Sequence, residues 1–349
     1  MIPALTSLLA LVFAVALFDQ WNERRRGFQL IWAIGMLFFA IASGCEAVGA
    51  MFGWSDAVYR TWYLTGAVFT AAWLGLGTAY LLGRTRFGYA YAALVLLGGM
   101  ITFFARNRYP DVATLAMLLL IAALVVALAV AIETYFQNER WPHIAALAVI
   151  VASAAATVMA FTLPLAPGGF TIDPLTGAPT GEAIPGAERL VSLLLNISGG
   201  LALAVGALFS AYIFMPKRRV LDYSLDAGQS GDSFLFNVFL ALVAIPVNFL
   251  ASLPMAIKAL ITGRIHSRVP ATLLIATGAI VASSTDALSR LGSTEMFQAG
   301  KLLAIGLIFV GFLVSVEVFR EIRIPFTDRV LRARREERGA EPTSVGRSA

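Results

Sequence analysis

The chain holds almost nothing from which a metal or redox centre is built: one cysteine, Cys45, and two histidines, His143 and His266, among 349 residues. A single cysteine excludes an intramolecular disulfide and any cysteine-rich metal or iron–sulfur site. Both histidines fall near one predicted membrane face, which argues against bis-histidine haem at mid-depth and against a histidine-rich metal site. There is no GxSxG, HExxH or P-loop, and no Ser, His and Asp arrangement of a hydrolase. No cofactor, metal or catalytic residue is therefore assigned, and nothing positive supports an enzyme. Lys301 lies in the last predicted helix, where a retinal Schiff-base lysine is sought, but at its outer end rather than mid-depth; an ion-paired or snorkelling lysine is the better reading. Charge is scarce too, at 13% of residues, and the net +5 comes from arginines in short connections. That pattern orients a membrane protein and does not bind nucleic acid.

What is abundant is apolar: 59% of residues. A soluble core cannot hide that fraction, whereas a bilayer accepts it. Apolar runs cover 3–19, 28–52, 61–82, 88–105, 112–134, 143–163, 189–215, 233–262, 270–289 and 301–320. Most reach the roughly 20 residues that span hydrocarbon. The first is not a cleavable signal peptide, because its basic cluster Arg24–Arg26 follows the apolar stretch instead of preceding it.

Basic residues set the orientation. Arg24–Arg26, Arg84 with Arg86, Arg140, and Lys217–Arg219 follow the first, third, fifth and seventh runs, so one side collects them and is predicted to be cytoplasmic. Arg106 and Arg108 are the exception, offset by Asp111 or other outer acidic residues. The Gly/Pro-rich, acidic stretch 164–188 then faces outward, as a loop over the mouth of the bundle. The Arg-rich tail beyond 320 also belongs inside, so an even number of crossings must separate it from 220–232. Three apolar runs lie between. The economical solution is that 233–262 does not cross: Pro246 and Pro254 divide it into pieces of re-entrant or interfacial length, and Asn237, Asn248 and Lys258 suit a protein-lined or interfacial place.

The expected fold is an all-α polytopic transmembrane bundle with about nine crossings (ten as the alternative), in the cell membrane, N-terminus outside and C-terminus cytoplasmic. Its expected parts are a seven-helix bundle over 1–219, a linker at 220–232, the broken segment plus two helices over 233–325, and a basic disordered tail at 326–349.

Intramembrane charge supplies the candidate site. Glu46 and Arg60 lie near outer helix ends, Asp286 and Arg290 sit four apart near another, and Asn196 is a turn or two inside the seventh helix. Ionisable groups in membrane segments are expensive, and are paired or functional. Glu46 sits beside the GxxxG spacing Gly49–Gly53, which allows close helix approach; Arg60 or Arg290 is its expected partner. Ser198, Ala202, Gly206 and Ser210 give the seventh helix a small-residue face for packing. The leading functional expectation is binding or transport of a small molecule or lipid from the outer side. A sensory or accessory subunit working through a membrane partner is the alternative, and a lipid-modifying enzyme the third.

Overall fold

The computed structural model describes residues 1–174, 177, 179–225, 231–290, 297–315, 321–323 and 330–333; for 231–233, 235, 286–290, 321–323 and 330–333 only the backbone is described. Its helices are α1 (Ile2–Arg24), α2 (Gly27–Phe52), α3 (Asp56–Tyr63), α4 (Ala71–Leu81), α5 (Phe87–Ala105), α6 (Ala113–Tyr135), α7 (Trp141–Thr162), α8 (Gly186–Phe214), α9 (Gly231–Ile261), α10 (Arg268–Arg290) and α11 (Phe297–Val314). A π-helical segment, Leu64–Thr70, joins α3 to α4, so that Asp56–Leu81 is one span. Among the described residues, ten helical spans are long and apolar enough to cross a membrane. The protein is an all-α polytopic bundle, as its hydropathy predicts. A short antiparallel pairing of Glu321–Arg323 with Val330–Ala333 lies near the C-terminus.

Antiparallel hairpins α1–α2, α5–α6 and α10–α11 surround the α3–α4 span and α8, and α10 and α5 both pack on α8. Lipid tails are as apolar as leucine, so association rests on close packing and on hydrogen bonds between helices. The closest approach is between Gly75 of α4 and Gly199 of α8, where a Cβ on either would collide with the other helix's backbone. Above it the π-helical segment loosens the backbone, as such insertions do. The Ala67 carbonyl inside it takes two donors from α8, Ser192 Oγ at 3.0 Å and Asn196 Nδ2 at 3.0 Å. Below it the Leu74 carbonyl takes the Trp32 indole N–H of α2 at 3.0 Å.

The two ends of the bundle differ. At the basic end Arg84 pairs with Glu139 at 3.0 Å, Tyr80 shares a 2.8 Å hydrogen bond with His143 Nδ1, and Trp141 donates to Gly83 O at 2.9 Å. At the other end Arg106 lies over the Phe103 ring, 3.7 Å from its centre, and Arg189 donates to the Tyr109 hydroxyl at 2.9 Å.

One expectation fails in α9. Pro246 and Pro254 do not divide it; the helix is continuous from Gly231 to Ile261. Both prolines sit on its exposed side, and each costs the helix one backbone hydrogen bond and crowds the carbonyl four residues earlier. Asn237 and Asn248 are spent on the linker before the helix. Asn248 Oδ1 accepts from Val220 N at 2.8 Å and Leu221 N at 3.0 Å, and its Nδ2 returns a 2.8 Å bond to Leu221 O. Asn237 Oδ1 accepts from Ser224 N at 3.4 Å. Lys258 is exposed.

Candidate functional site

Glu46 lies on α2 about two turns from its C-terminal end, and its side chain is 2% exposed. A carboxylate there is tolerated only with partners of opposite charge and filled lone pairs. It has three. Lys301 Nζ of α11 sits 2.6 Å from Oε1, Trp62 Nε1 of α3 donates to the same oxygen at 2.8 Å, and Gln298 Nε2 of α11 donates to Oε2 at 3.0 Å. The ammonium also lies 4.9 Å from the centre of the Phe297 ring. Lys301, and not the expected Arg60, pairs with Glu46; the side chain of Arg290, the other expected partner, lies outside the described residues.

Arg60 points the other way, into α7. Its guanidinium donates to the carbonyls of Ala160 and, at 2.9 Å, Leu163, groups left without intrahelical partners where α7 ends. Asp56, four residues earlier on α3, is exposed. The GxxxG spacing does not bring helices together either. Gly49 makes room for the Trp54 ring, and Gly53, with φ +88°, ends α2 in a conformation that favours glycine.

An aromatic roof covers the carboxylate. Trp54 and Trp62 meet edge to face with centres 5.9 Å apart, Tyr59 lies 5.9 Å from Trp62, and Phe170 of the loop between α7 and α8 stacks on Tyr59 at 4.5 Å. The loop is tied down through its backbone: Thr180 O accepts from Tyr59 Oη at 2.9 Å, Gly177 O from Trp54 Nε1 at 3.1 Å, and Ala183 O from Ala166 N at 2.8 Å. Arg189 donates to the carbonyls of Gly181 and Ile184, the latter at 3.1 Å. The described part of the acidic stretch is therefore tied to α3 and to the start of α8.

Beneath that stretch sits a residue that sequence reading assigns to the loop. Glu188 occupies the first turn of α8 and has no exposed surface. Neither of its carboxylate oxygens accepts a hydrogen bond among the described residues. Arg60 is the positive charge that acts on it. The signal in the sequence is slight: Glu188 immediately precedes the apolar period of α8, at a place that as easily reads as a solvated helix start.

Of the residues singled out, Glu46 lies inside this cluster, Arg60 at its α7 side, and Asn196 deeper, on the Ala67 carbonyl. The side chains of Asp286 and Arg290 lie outside the described residues. Lys301, Gln298, Trp62 and Glu188 complete the arrangement. No group of three metal-ligating side chains occurs among the described residues. No protein-family model, curated protein or solved structure matches this chain.

Proposed function

We propose that this protein binds, and carries or senses, a small molecule or lipid taken from the outer side of the cell membrane, with Glu188 as the group that meets it. The observation that supports this reading is Glu188 itself. A carboxylate fully buried with both oxygens unpaired is a cost that native structures rarely leave standing. A ligand bearing an amine or other hydrogen-bond donor removes that cost, and Arg60 beside it suits a zwitterion. Glu46 fits a different role. Its lone pairs are filled by Lys301, Trp62 and Gln298, so it anchors α11 to α2 and holds the floor of the site. The loop between α7 and α8, held through backbone carbonyls, the Tyr59–Phe170 stack and the buried Ala183 and Ile184, is the element whose release opens the route inward.

The test is a thermal-stability screen of the purified protein against small amines, amino acids, sugars and phospholipids. At least one class should raise the unfolding midpoint of the native chain and lose its effect in Glu188→Met. A shift that survives this substitution, or no shift from any class, overturns the reading.

A further inference from the structure

Helix α9 is long enough to cross a membrane, yet its contacts lie at one level. At its start Phe234 packs against Tyr89 in the first turn of α5, 5.8 Å between ring centres, and against Tyr135 at the last residue of α6, 5.0 Å. At its other end Ala256 is buried with Tyr212 and Met215 where α8 finishes and with Val269 where α10 begins. All of these are helix ends on the basic side. Phe234 and Ala256 are separated by about 33 Å of helix, close to the whole thickness of the hydrocarbon core. An upright helix would put them on opposite faces of the membrane.

The linker gives the same answer independently. Residues 218–224 run as an extended strap along α9: Arg218 N donates to Ser252 Oγ at 2.8 Å, Val220 and Leu221 bond to Asn248, and Ser224 to Asn237. Irregular backbone in contact with lipid does not occur within hydrocarbon, and Arg218, Arg219 and Asp222 of the strap are exposed. The strap therefore lies at the membrane surface, and the helix along it lies there too. On the opposite side of α9, Phe236, Phe239, Val243, Val247, Leu250 and Ile257 form an exposed apolar stripe at helical spacing. An apolar cavity of about 440 Å³ opens beside it, between α6 and the start of α9. Around the other end of the helix Lys217, Arg218, Arg219, Lys258 and Arg264 are all exposed, and no acidic residue occurs between Asp232 and Asp286.

We propose that α9 does not cross the membrane but lies flat in the leaflet on the basic side, its apolar stripe among the acyl chains, and that these five basic residues hold the headgroups of anionic phospholipid. A helix with one apolar face and flanking cations is the form that binds an anionic leaflet. The protein then crosses nine times, which puts the C-terminal arginines on the same side as the other basic clusters, cytoplasmic by the positive-inside rule. This rests on α9 and its strap alone and is independent of the outer site.

Two measurements on the full chain test it. In a Cys45→Ser background, Thr262→Cys should react with a membrane-impermeant maleimide from the same side as Asn138→Cys and from the side opposite to Phe52→Cys. Reaction from the side of Phe52→Cys overturns the flat helix. Separately, phosphatidylglycerol and phosphatidylcholine retained by the purified protein are quantified for the native chain and for the variant carrying Gln at all five basic positions. The native chain should prefer phosphatidylglycerol, and the variant should lose about tenfold in that preference. Substituting Lys217, Arg218 and Arg219, or Lys258 and Arg264, as separate groups should give intermediate losses and keeps the test readable if the fivefold variant does not accumulate. An unchanged preference overturns the headgroup assignment.

Discussion

Lys301 Nζ stands 2.6 Å from Glu46 Oε1, joining α11 to α2 across 255 residues of chain and beneath a roof of aromatic rings. One charge-assisted hydrogen bond thus ties two helices that are remote in sequence.

Breaking this pair from one side should cost more than removing it. Lys301→Met leaves Glu46 buried with only two neutral donors, and is expected to destabilise by about 3 kcal/mol. The double variant Glu46→Gln with Lys301→Met should lose less than the two single losses combined. Thermal unfolding in detergent, read as a double-mutant cycle, checks this; additive losses would mean that the pair carries no coupling.

Glu188 should behave in the opposite sense. Replacement by Met removes two unpaired buried oxygens, so the unliganded protein is expected to gain about 1 kcal/mol. A lowered unfolding midpoint would mean that the carboxylate is satisfied in the folded chain.

Adjacent glycines in α8 give a sharp contrast. A Cβ at Gly199 would meet the backbone of Ala71 and Ala72, whereas one at Gly200 meets nothing within 4 Å. Gly199→Ala should cost about 2 kcal/mol or more through overpacking. Gly200→Ala should be neutral or stabilise by up to about 1 kcal/mol through helix propensity. Equal midpoints for the two variants would contradict the close approach.

The two donors on the Ala67 carbonyl should be partly redundant. Ser192→Ala and Asn196→Ala each leave one bond, so each costs about 1 kcal/mol or less. Together they orphan a buried carbonyl, and the loss should exceed their sum. Strict additivity in chemical or thermal unfolding would count against shared acceptance.

Asn248→Leu should free the strap. Cleavage by trypsin at Lys217, Arg218 or Arg219 in mild detergent is expected to speed up at least severalfold, without loss of the helical signal. An unchanged cleavage rate would show that Asn248 does not hold the linker.

The membrane class and the helix count were legible because hydropathy, breaker residues and charge act locally along the chain. Partners were not. Glu46 announces itself as a carboxylate among small residues, yet nothing near it in sequence names Lys301, whose place depends on how α11 folds back. Arg60 reads naturally as the mate of Asp56 four residues earlier; only the end of α7, a hundred residues on, reveals a stronger set of acceptors. The prolines of α9 misled for a physical reason. Each proline removes one backbone donor and crowds the carbonyl four residues earlier, which weakens a helix without necessarily ending it. Gly49 misled similarly, because the GxxxG spacing marks room for a neighbour without saying that the neighbour is a tryptophan.

The π-helical stretch between Leu64 and Thr70 sets the rotational phase of everything above it relative to everything below. Below it, Gly75 is locked against Gly199; above it, Trp62 faces Glu46 while Arg60 faces α7. A chain one residue shorter within 64–70 would restore ordinary helix and keep the glycine contact, but it would turn the upper half by about 100°. Trp62 and Arg60 would then both lose their acceptors. The azimuth of the outer site is written in one extra residue that touches no part of it.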